Sequence, residues 1–261
     1  MRIAEIFRSI QGEGRLTGTE SIFVRTSGCN LRCGYCDTPY ASWTPEGEDL
    51  SVATILGRID RLRQSEPSVR QAFQPDCECG KRDSPIFADT KIRTVPPTHI
   101  VLTGGEPMLF AELIPLSASL HAQGWHITIE TSGTLYLPVV CDLMSISPKL
   151  SNSAPPPEFD AQWTWRHTRN RHAPEVIRQL TTEYDYQLKF VIDQIEDCRE
   201  VETYLAEFPE IEHGRVMLMP QGIDAPSLAE KSAWLEPYCI QRGFQFCPRR
   251  QVEWFGAERG K

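Results

Sequence analysis

Gly28-Cys29-Asn30-Leu31-Arg32-Cys33-Gly34-Tyr35-Cys36-Asp37-Thr38 carries three cysteines separated by three and then two residues. It follows directly on a β-rich run at residues 21–26. The three thiols therefore share one loop at the C-terminal end of a strand, where a βα barrel presents its chemistry. Thiolates offered by one short loop suit soft metals, either a tetrahedral zinc or an iron–sulfur cluster. A structural zinc site is closed by four ligands, commonly as two pairs, and the sequence offers no matching C-x-x-C or H-x3-H partner. Three ligands leave one iron of a cubane open, and an open iron is a binding position for a small molecule. Structural zinc and ordinary core cysteines are the competing readings.

Outward from this loop, strand and helix signals alternate. β-rich runs fall at residues 3–7, 21–26, 99–103, 127–130, 143–147, 188–192, 216–219 and 244–247. Helical periodicity puts Ile55, Ile59 and Leu62 on one face of residues 51–63, and Leu109, Leu113, Leu116 and Leu120 on one face of 109–121. Weaker helices fit 173–180, 195–208 and 226–242. Parallel neighbours need crossover connections, usually helices. The expected fold is α/β, a partial, modified (βα) barrel, formed by a single domain over residues 1–261. Two stretches break the rhythm and read as inserted loops beside the site, at about 64–97 and 150–172. The second holds Pro155-Pro156-Pro157, Trp163, Trp165 and the basic string Arg166, His167, Arg169, Arg171 and His172.

The chain has 261 residues, 40% of them apolar, with 27 basic and 35 acidic side chains for a net charge of −8. Such a balance argues against a nucleic-acid footprint or attraction to an anionic membrane, and favours a small-molecule enzyme. No apolar run approaches the roughly 18 residues a spanning helix needs. The N-terminus lacks a signal-peptide layout, so a cytoplasmic protein is expected. Thiols are held reduced there, so nine cysteines read as metal ligands before disulfides. Cys141, Cys198, Cys239 and Cys247 fall in strands or helices and read as small hydrophobes, and Cys77 and Cys79 fall in the first insertion.

Other motifs close the remaining strands. Thr103-Gly104-Gly105-Glu106-Pro107 combines two glycines, which admit a close backbone approach, with a carboxylate suited to an ammonium. Glu130-Thr131-Ser132-Gly133-Thr134 and Ser147-Pro148-Lys149 end two further strands, and Met219 and Gln221 end another. Ser147 and Lys149 offer a hydroxyl and an ammonium at this rim. Near the N-terminus, Ile10-Gln11-Gly12-Glu13-Gly14 flanks one carboxylate with glycines, a geometry that can wrap a flat ligand. Each string alone also reads as a turn or a cap. Their shared place at strand C-terminal ends favours a binding rim.

Taken together, the cysteine spacing and the Gly104-Gly105-Glu106 element resemble the radical S-adenosylmethionine superfamily. That resemblance implies a [4Fe–4S] cluster on Cys29, Cys33 and Cys36, whose open iron chelates the amino and carboxylate groups of S-adenosylmethionine. Reduction then yields a 5′-deoxyadenosyl radical. Cofactor contacts are implied for Tyr35, Cys36, Asp37, Gly104, Gly105, Glu106, Ser147, Pro148, Lys149, Met219 and Gln221.

Gln11-Gly12-Glu13-Gly14 with Phe23-Val24-Arg25 and Cys36-Asp37-Thr38 resembles the 7-carboxy-7-deazaguanine synthase family. The resemblance implies conversion of 6-carboxy-5,6,7,8-tetrahydropterin to 7-carboxy-7-deazaguanine on the route to queuosine. The radical takes hydrogen from C6, the ring contracts with loss of ammonia, and the hydrogen is returned. It places the pterin on Ile10, Gln11, Gly12, Glu13, Arg25 and Thr103, with Arg25 pairing its carboxylate and Thr38 binding Mg2+. For Arg25 a surface salt bridge is the alternative, and for Thr38 a helix cap. No side chain acts as a conventional acid, base or nucleophile. Expected partners are a reductant such as flavodoxin or ferredoxin and a second copy in a homodimer, without nucleic acid or membrane. The rival readings are a glycyl-radical-enzyme activase of the same superfamily and a non-catalytic, zinc-stabilised interaction module.

Overall fold

Along residues 20–26 the side chains alternate: Ile22 and Val24 enter the main apolar core, while Ser21, Phe23 and Arg25 point to the opposite face. That period of two recurs along the sheet and gives it two distinct surfaces. The computed structural model describes residues 1–65, 97–256 and 258–260, so most of the first expected insertion, including Cys77 and Cys79, lies outside the described residues.

Nine strands form one sheet among the described residues. They are β1 (Arg2–Ile10), β2 (Glu20–Thr26), β3 (Glu48–Asp49), β4 (His99–Gly104), β5 (His126–Thr131), β6 (Leu143–Ile146), β7 (Tyr186–Ile192), β8 (Val216–Pro220) and β9 (Gln245–Phe246). Their order is β3-β1-β2-β4-β5-β6-β7-β8-β9. From β2 to β9 each neighbour is parallel. The order does not return on itself, so the barrel is partial and open, as expected. The departure from an all-parallel sheet is at one edge, where β1 runs antiparallel to both β2 and β3. A short loop joins β1 to β2, with no crossover helix to make them parallel.

Helices α1 (Pro39–Ser42), α2 (Val52–Gln64), α3 (Leu113–Ala122), α4 (Pro157–Asn170), α5 (Pro174–Glu183), α6 (Ile195–Ala206), α7 (Ala225–Arg242) and α8 (Arg250–Phe255) complete the fold. Ile55 and Ile59 of α2 and Leu113, Leu116 and Leu120 of α3 are wholly buried against the sheet residues Ile22, Ile100, Leu102 and Ile127. Each such side chain contributes about 1.5–3 kcal/mol on leaving water. Among the described residues no helix is long and apolar enough to cross a membrane.

Two local expectations are corrected. Residues 107–109 form a separate 3-10 turn beginning at Pro107, and α3 starts only at Leu113. Residues 157–170 are helix rather than loop, broken at Asp160, whose carboxylate caps the following turn by accepting the Trp163 N–H at 3.0 Å. Its inward face carries Trp163 and His167 instead of aliphatic side chains, so a search for aliphatic periodicity passes over it. His167, expected in a solvated basic loop, is fully buried.

Candidate active site

The cysteine loop leaves the end of β2 and is held by the loop after β4. Gly105 N–H donates to the Thr26 carbonyl at 3.1 Å, and Glu106 N–H to the Gly28 carbonyl at 2.9 Å. A Cβ on Gly105 would lie 2.2 Å from the Gly28 oxygen and 2.6 Å from the Ala41 oxygen. Glycine at 105 is needed for the approach of one protein loop to another, a contact the motif alone does not disclose.

All three cysteines are free. Burial pushes the Cys29 thiol up to about 12, with Glu106, Cys33 and Cys36 adding to the rise. Burial likewise raises Cys33 to about 11, opposed by the nearby Lys149 ammonium. Cys36 Sγ lies 3.1 Å from the Ser42 hydroxyl. Such thiols release their protons on binding a metal. Among the described residues no three His, Cys, Asp or Glu side chains converge tightly enough to grip a single metal ion. A cubane makes a different demand, one thiolate for each of three irons, and three free thiols on one loop suit it.

Of the expected cofactor residues, Glu106 stands close enough to Cys29, and Lys149 to Cys33, to act on the thiol charge. Tyr35 packs against the small cluster of Val191, Met217, Met219 and Cys247 and donates to Asn152 at 3.3 Å. Lys149 donates to the Ser147 hydroxyl at 2.7 Å, and Ser147 N–H bonds the end of β5 through the Thr131 carbonyl at 2.8 Å. Gln221 is fixed by Lys231, which donates to its backbone carbonyl at 2.7 Å and its side-chain oxygen at 3.1 Å. Glu106 is wholly buried, and its carboxylate accepts from Thr131 at 2.8 Å, Ser132 N–H at 2.9 Å and Ser132 Oγ at 2.5 Å. It therefore welds the β4 motif to the β5 motif, an occupation the sequence did not disclose. Thr38 stands at the N-cap of α1, yet its side chain makes no capping bond, so its hydroxyl is not spent on the helix.

Facing away from the core, a polar row crosses six strands. Register pairs Glu5 with Arg25, Arg25 with Thr103, Glu130 with Ser145, and Ser145 with Gln187. The Thr103 hydroxyl joins the two halves by donating to Glu130 at 2.7 Å. Gln11 donates to the other Glu130 oxygen at 3.1 Å. Arg25 pairs with Glu5 through Nε at 2.6 Å, and its terminal nitrogens make no further hydrogen bond among the described residues. Below this row Phe7 and Phe23 stack with centroids 5.1 Å apart, a flat apolar wall.

Glu13 is engaged by the protein itself. Its carboxylate accepts from Lys189 and from the Gln251 amide, with Arg249 Nε at 3.4 Å. Burial alone would raise this carboxyl, but the Lys189 ammonium and the Arg249 guanidinium outweigh it and hold it at about 2. Gly12 is glycine because Gln251 lies against it: a Cβ there would sit 2.6 Å from the Gln251 backbone nitrogen. Asp37 is held by Arg249 at 2.5 Å, and Ile10 closes β1 opposite Glu20.

Glu130 stands in a rim motif that the sequence gives no specific role, and Lys189, Arg249 and Gln251 are three further residues of this region outside the expected site. Lys189 did leave a signal, a lone charge inside the buried strand Tyr-Gln-Leu-Lys-Phe-Val-Ile. Arg249 and Gln251 left none, because their partners lie far away in sequence.

Comparisons with known proteins follow the same lines. The chain is 39% identical over 259 residues to the 7-carboxy-7-deazaguanine synthase of Rhodopirellula baltica, covering 99% of this chain and 88% of that one. It is 35% identical over 259 residues to the enzyme of the same name from Halobacterium salinarum, covering 96% and 88%. Of solved structures, QueE from Escherichia coli matches with a TM-score of 0.62 at 21% identity, over 95% of this chain and 93% of that one. Streptococcus suis SuiB, solved with S-adenosylmethionine bound, matches with a TM-score of 0.51 at 13% identity, over 85% and 48%. At these identities the structural likenesses concern the fold. No family model matches the chain.

Proposed function

The chain belongs to the 7-carboxy-7-deazaguanine synthase family of lyases, and from that premise we propose that it converts 6-carboxy-5,6,7,8-tetrahydropterin to 7-carboxy-7-deazaguanine with loss of ammonia, in 7-deazapurine biosynthesis. Cys29, Cys33 and Cys36 would hold a [4Fe–4S] cluster, with S-adenosylmethionine on its open iron. When bound, this pair supplies the 5′-deoxyadenosyl radical that takes hydrogen from C6 of the pterin. Family membership leaves the zinc-stabilised module without support.

The observation that carries the reading is the placement of three free thiols on one loop beside the polar row of Arg25, Thr103 and Glu130. Gln11, Thr103 and Glu130 offer donors and a carboxylate to the hydrogen-bonding edge of a pterin, and Phe7 and Phe23 offer a flat wall. Glu13, locked by Lys189 and Gln251, fixes its loop so that backbone groups of Ile10, Gln11, Gly12 and Glu13 line the substrate. Arg25, engaged by Glu5 through Nε, keeps its terminal nitrogens for a carboxylate, a fork-to-fork match. Tyr35, packed beside Met219, would face the adenine, Gln221 and Ser147 would bond the nucleoside, and Lys149, Asp37 and the Gly104-Gly105-Glu106 turn would orient the methionine end. Thr38, free of capping duty, suits Mg2+, which keeps most of its waters and takes few protein ligands. Held there, the ion would template the substrate oxygens during rearrangement.

The test is an anaerobic assay of the reconstituted protein with carboxypterin, S-adenosylmethionine, Mg2+ and a reductant such as reduced flavodoxin, with product sought by mass. The expected result is 7-carboxy-7-deazaguanine and ammonia. Cleavage of S-adenosylmethionine without that product would reject the substrate and retain the radical chemistry.

A further inference from the structure

Helix α4 has no part in the chemistry just described, yet it reaches the cysteine loop between two of the proposed ligands. The backbone N–H of Arg32, lying between Cys29 and Cys33, donates to Nδ1 of His167 at 3.1 Å. This imidazole is fully buried, and its Nε2 is 2.8 Å from the Ser153 hydroxyl. Ser153 in turn donates to the Leu150 carbonyl at 2.5 Å. A ring nitrogen that accepts an N–H carries no proton, so Nε2 bears the hydrogen and donates to Ser153. The chain of donors therefore runs one way, from Arg32 through His167 and Ser153 to Leu150, with every member satisfied.

A second strand of the same support grips the other side of Cys33. Gly34 N–H donates to the Ser153 carbonyl at 2.9 Å. Trp163, one turn before His167 on the same face of α4, lies 4.0 Å from the Arg32 guanidinium across its ring. That guanidinium donates to the carbonyls of Cys29 at 2.9 Å and Leu31 at 2.8 Å. The amides flanking Cys33 are thus pinned by one helix and one turn. The neighbouring Leu31 N–H, by contrast, points at Cys29 Sγ at 3.4 Å.

We propose that His167 is a positioning residue for the cluster: it fixes the turn that seats Cys33 and keeps the Arg32 amide turned away from the cluster sulfurs. The proposal rests on the reading of Cys29, Cys33 and Cys36 as cluster ligands. Two consequences follow from general chemistry. Partners that orient a ligand support metal retention, and amide bonds to cluster sulfurs move the reduction potential.

The experiment compares full-length wild type with His167→Asn, His167→Gln and His167→Leu after anaerobic reconstitution with iron and sulfide. Asn places an oxygen where Nδ1 stands and still accepts from Arg32. Gln carries its polar end at the Nε2 position, out of reach of that amide, and Leu accepts nothing. His167→Asn is expected to match wild type in cluster half-life under chelator and in midpoint potential. His167→Gln and His167→Leu are expected to lose iron about 10–100 times faster and to show a shifted potential. Circular dichroism of the metal-free proteins checks folding, and if the Leu variant fails to fold, the Asn and Gln pair decides. Equal retention and equal potential in Asn and Gln variants would overturn the proposal. A wild type that takes up no cluster would remove the cysteine reading itself, and this inference with it.

Discussion

Arg249 donates to the Asp37 carboxylate at 2.5 Å, although 212 residues separate them. The same guanidinium donates to the Gly222 carbonyl at 2.5 Å and stands 3.4 Å from Glu13. One side chain from the C-terminal segment therefore ties together the loop after β1, the cysteine loop and the loop after β8. Asp37 is half exposed, so water weakens that branch.

Arg249→Lys keeps the charge and loses the fork, so it cannot serve three partners. The expected result is a drop of about 1–3 kcal/mol in unfolding free energy by urea titration, with lower affinity for both pterin and S-adenosylmethionine. A variant that kept wild-type stability and both affinities would show that this tie is dispensable.

The Glu13 and Lys189 pair predicts an acid limb in stability. The folded Glu13 carboxyl sits at about 2 against an ordinary 4.5, so its contribution is fully present above pH 4.5 and is lost as pH falls towards 2. Lys189 is raised above its ordinary 10.5, so its share is unaffected on the acid side. Each single variant, Glu13→Gln or Lys189→Met, leaves a buried charge short of a partner and should cost more than the double variant, up to about 3–5 kcal/mol. Urea unfolding across this pH range should show the acid loss in wild type and a shallower one in the double variant. Identical slopes would place the acid sensitivity elsewhere.

Gly105→Ala drives a methyl group into two backbone oxygens, those of Gly28 and Ala41. Neither can swing aside as a side chain would, so the cysteine loop must shift. Overpacking of this kind costs about 1–3 kcal/mol. Iron uptake should fall along with the denaturation midpoint of the metal-free protein. Unchanged iron uptake would mean that the loop is seated by other contacts.

Cys29→Ala, Cys33→Ala and Cys36→Ala should each abolish the cluster, whereas Cys247→Ala should not, because Cys247 Sγ accepts the Gly14 N–H at 3.2 Å and lies near Lys189 and Glu13, away from the cysteine loop in sequence. Wild type should bind about four irons per chain. Near eight irons, or loss of iron on changing Cys77 and Cys79, would establish a second cluster.

Strand positions and the cysteine loop were legible because both are local. Alternation within β2 and β4 and the short thiol spacing need no knowledge of distant residues. The polar row was half legible: Arg25 and Thr103 stood out beside motifs, but Glu130 joins them only once register aligns β4 with β5. Lys189, Arg249 and Gln251 meet Glu13 across long sequence separations, which no spacing rule reaches. α4 is not legible because two prolines precede it, a third opens it, and its buried contacts are made by a histidine and a tryptophan. Gly105 is legible as a close-approach residue, but its contact with the Gly28 and Ala41 carbonyls is not, since sequence alone does not show which loop packs against it.

The central claim is that Cys29, Cys33 and Cys36 leave one iron free for the amino-acid end of S-adenosylmethionine. Electron–nuclear double resonance on the reduced, reconstituted protein tests it with S-adenosylmethionine labelled at the amino nitrogen and carboxylate oxygens. Strong coupling of both labels to the cluster is the predicted result. A fully formed cluster with no coupling to either label would contradict it.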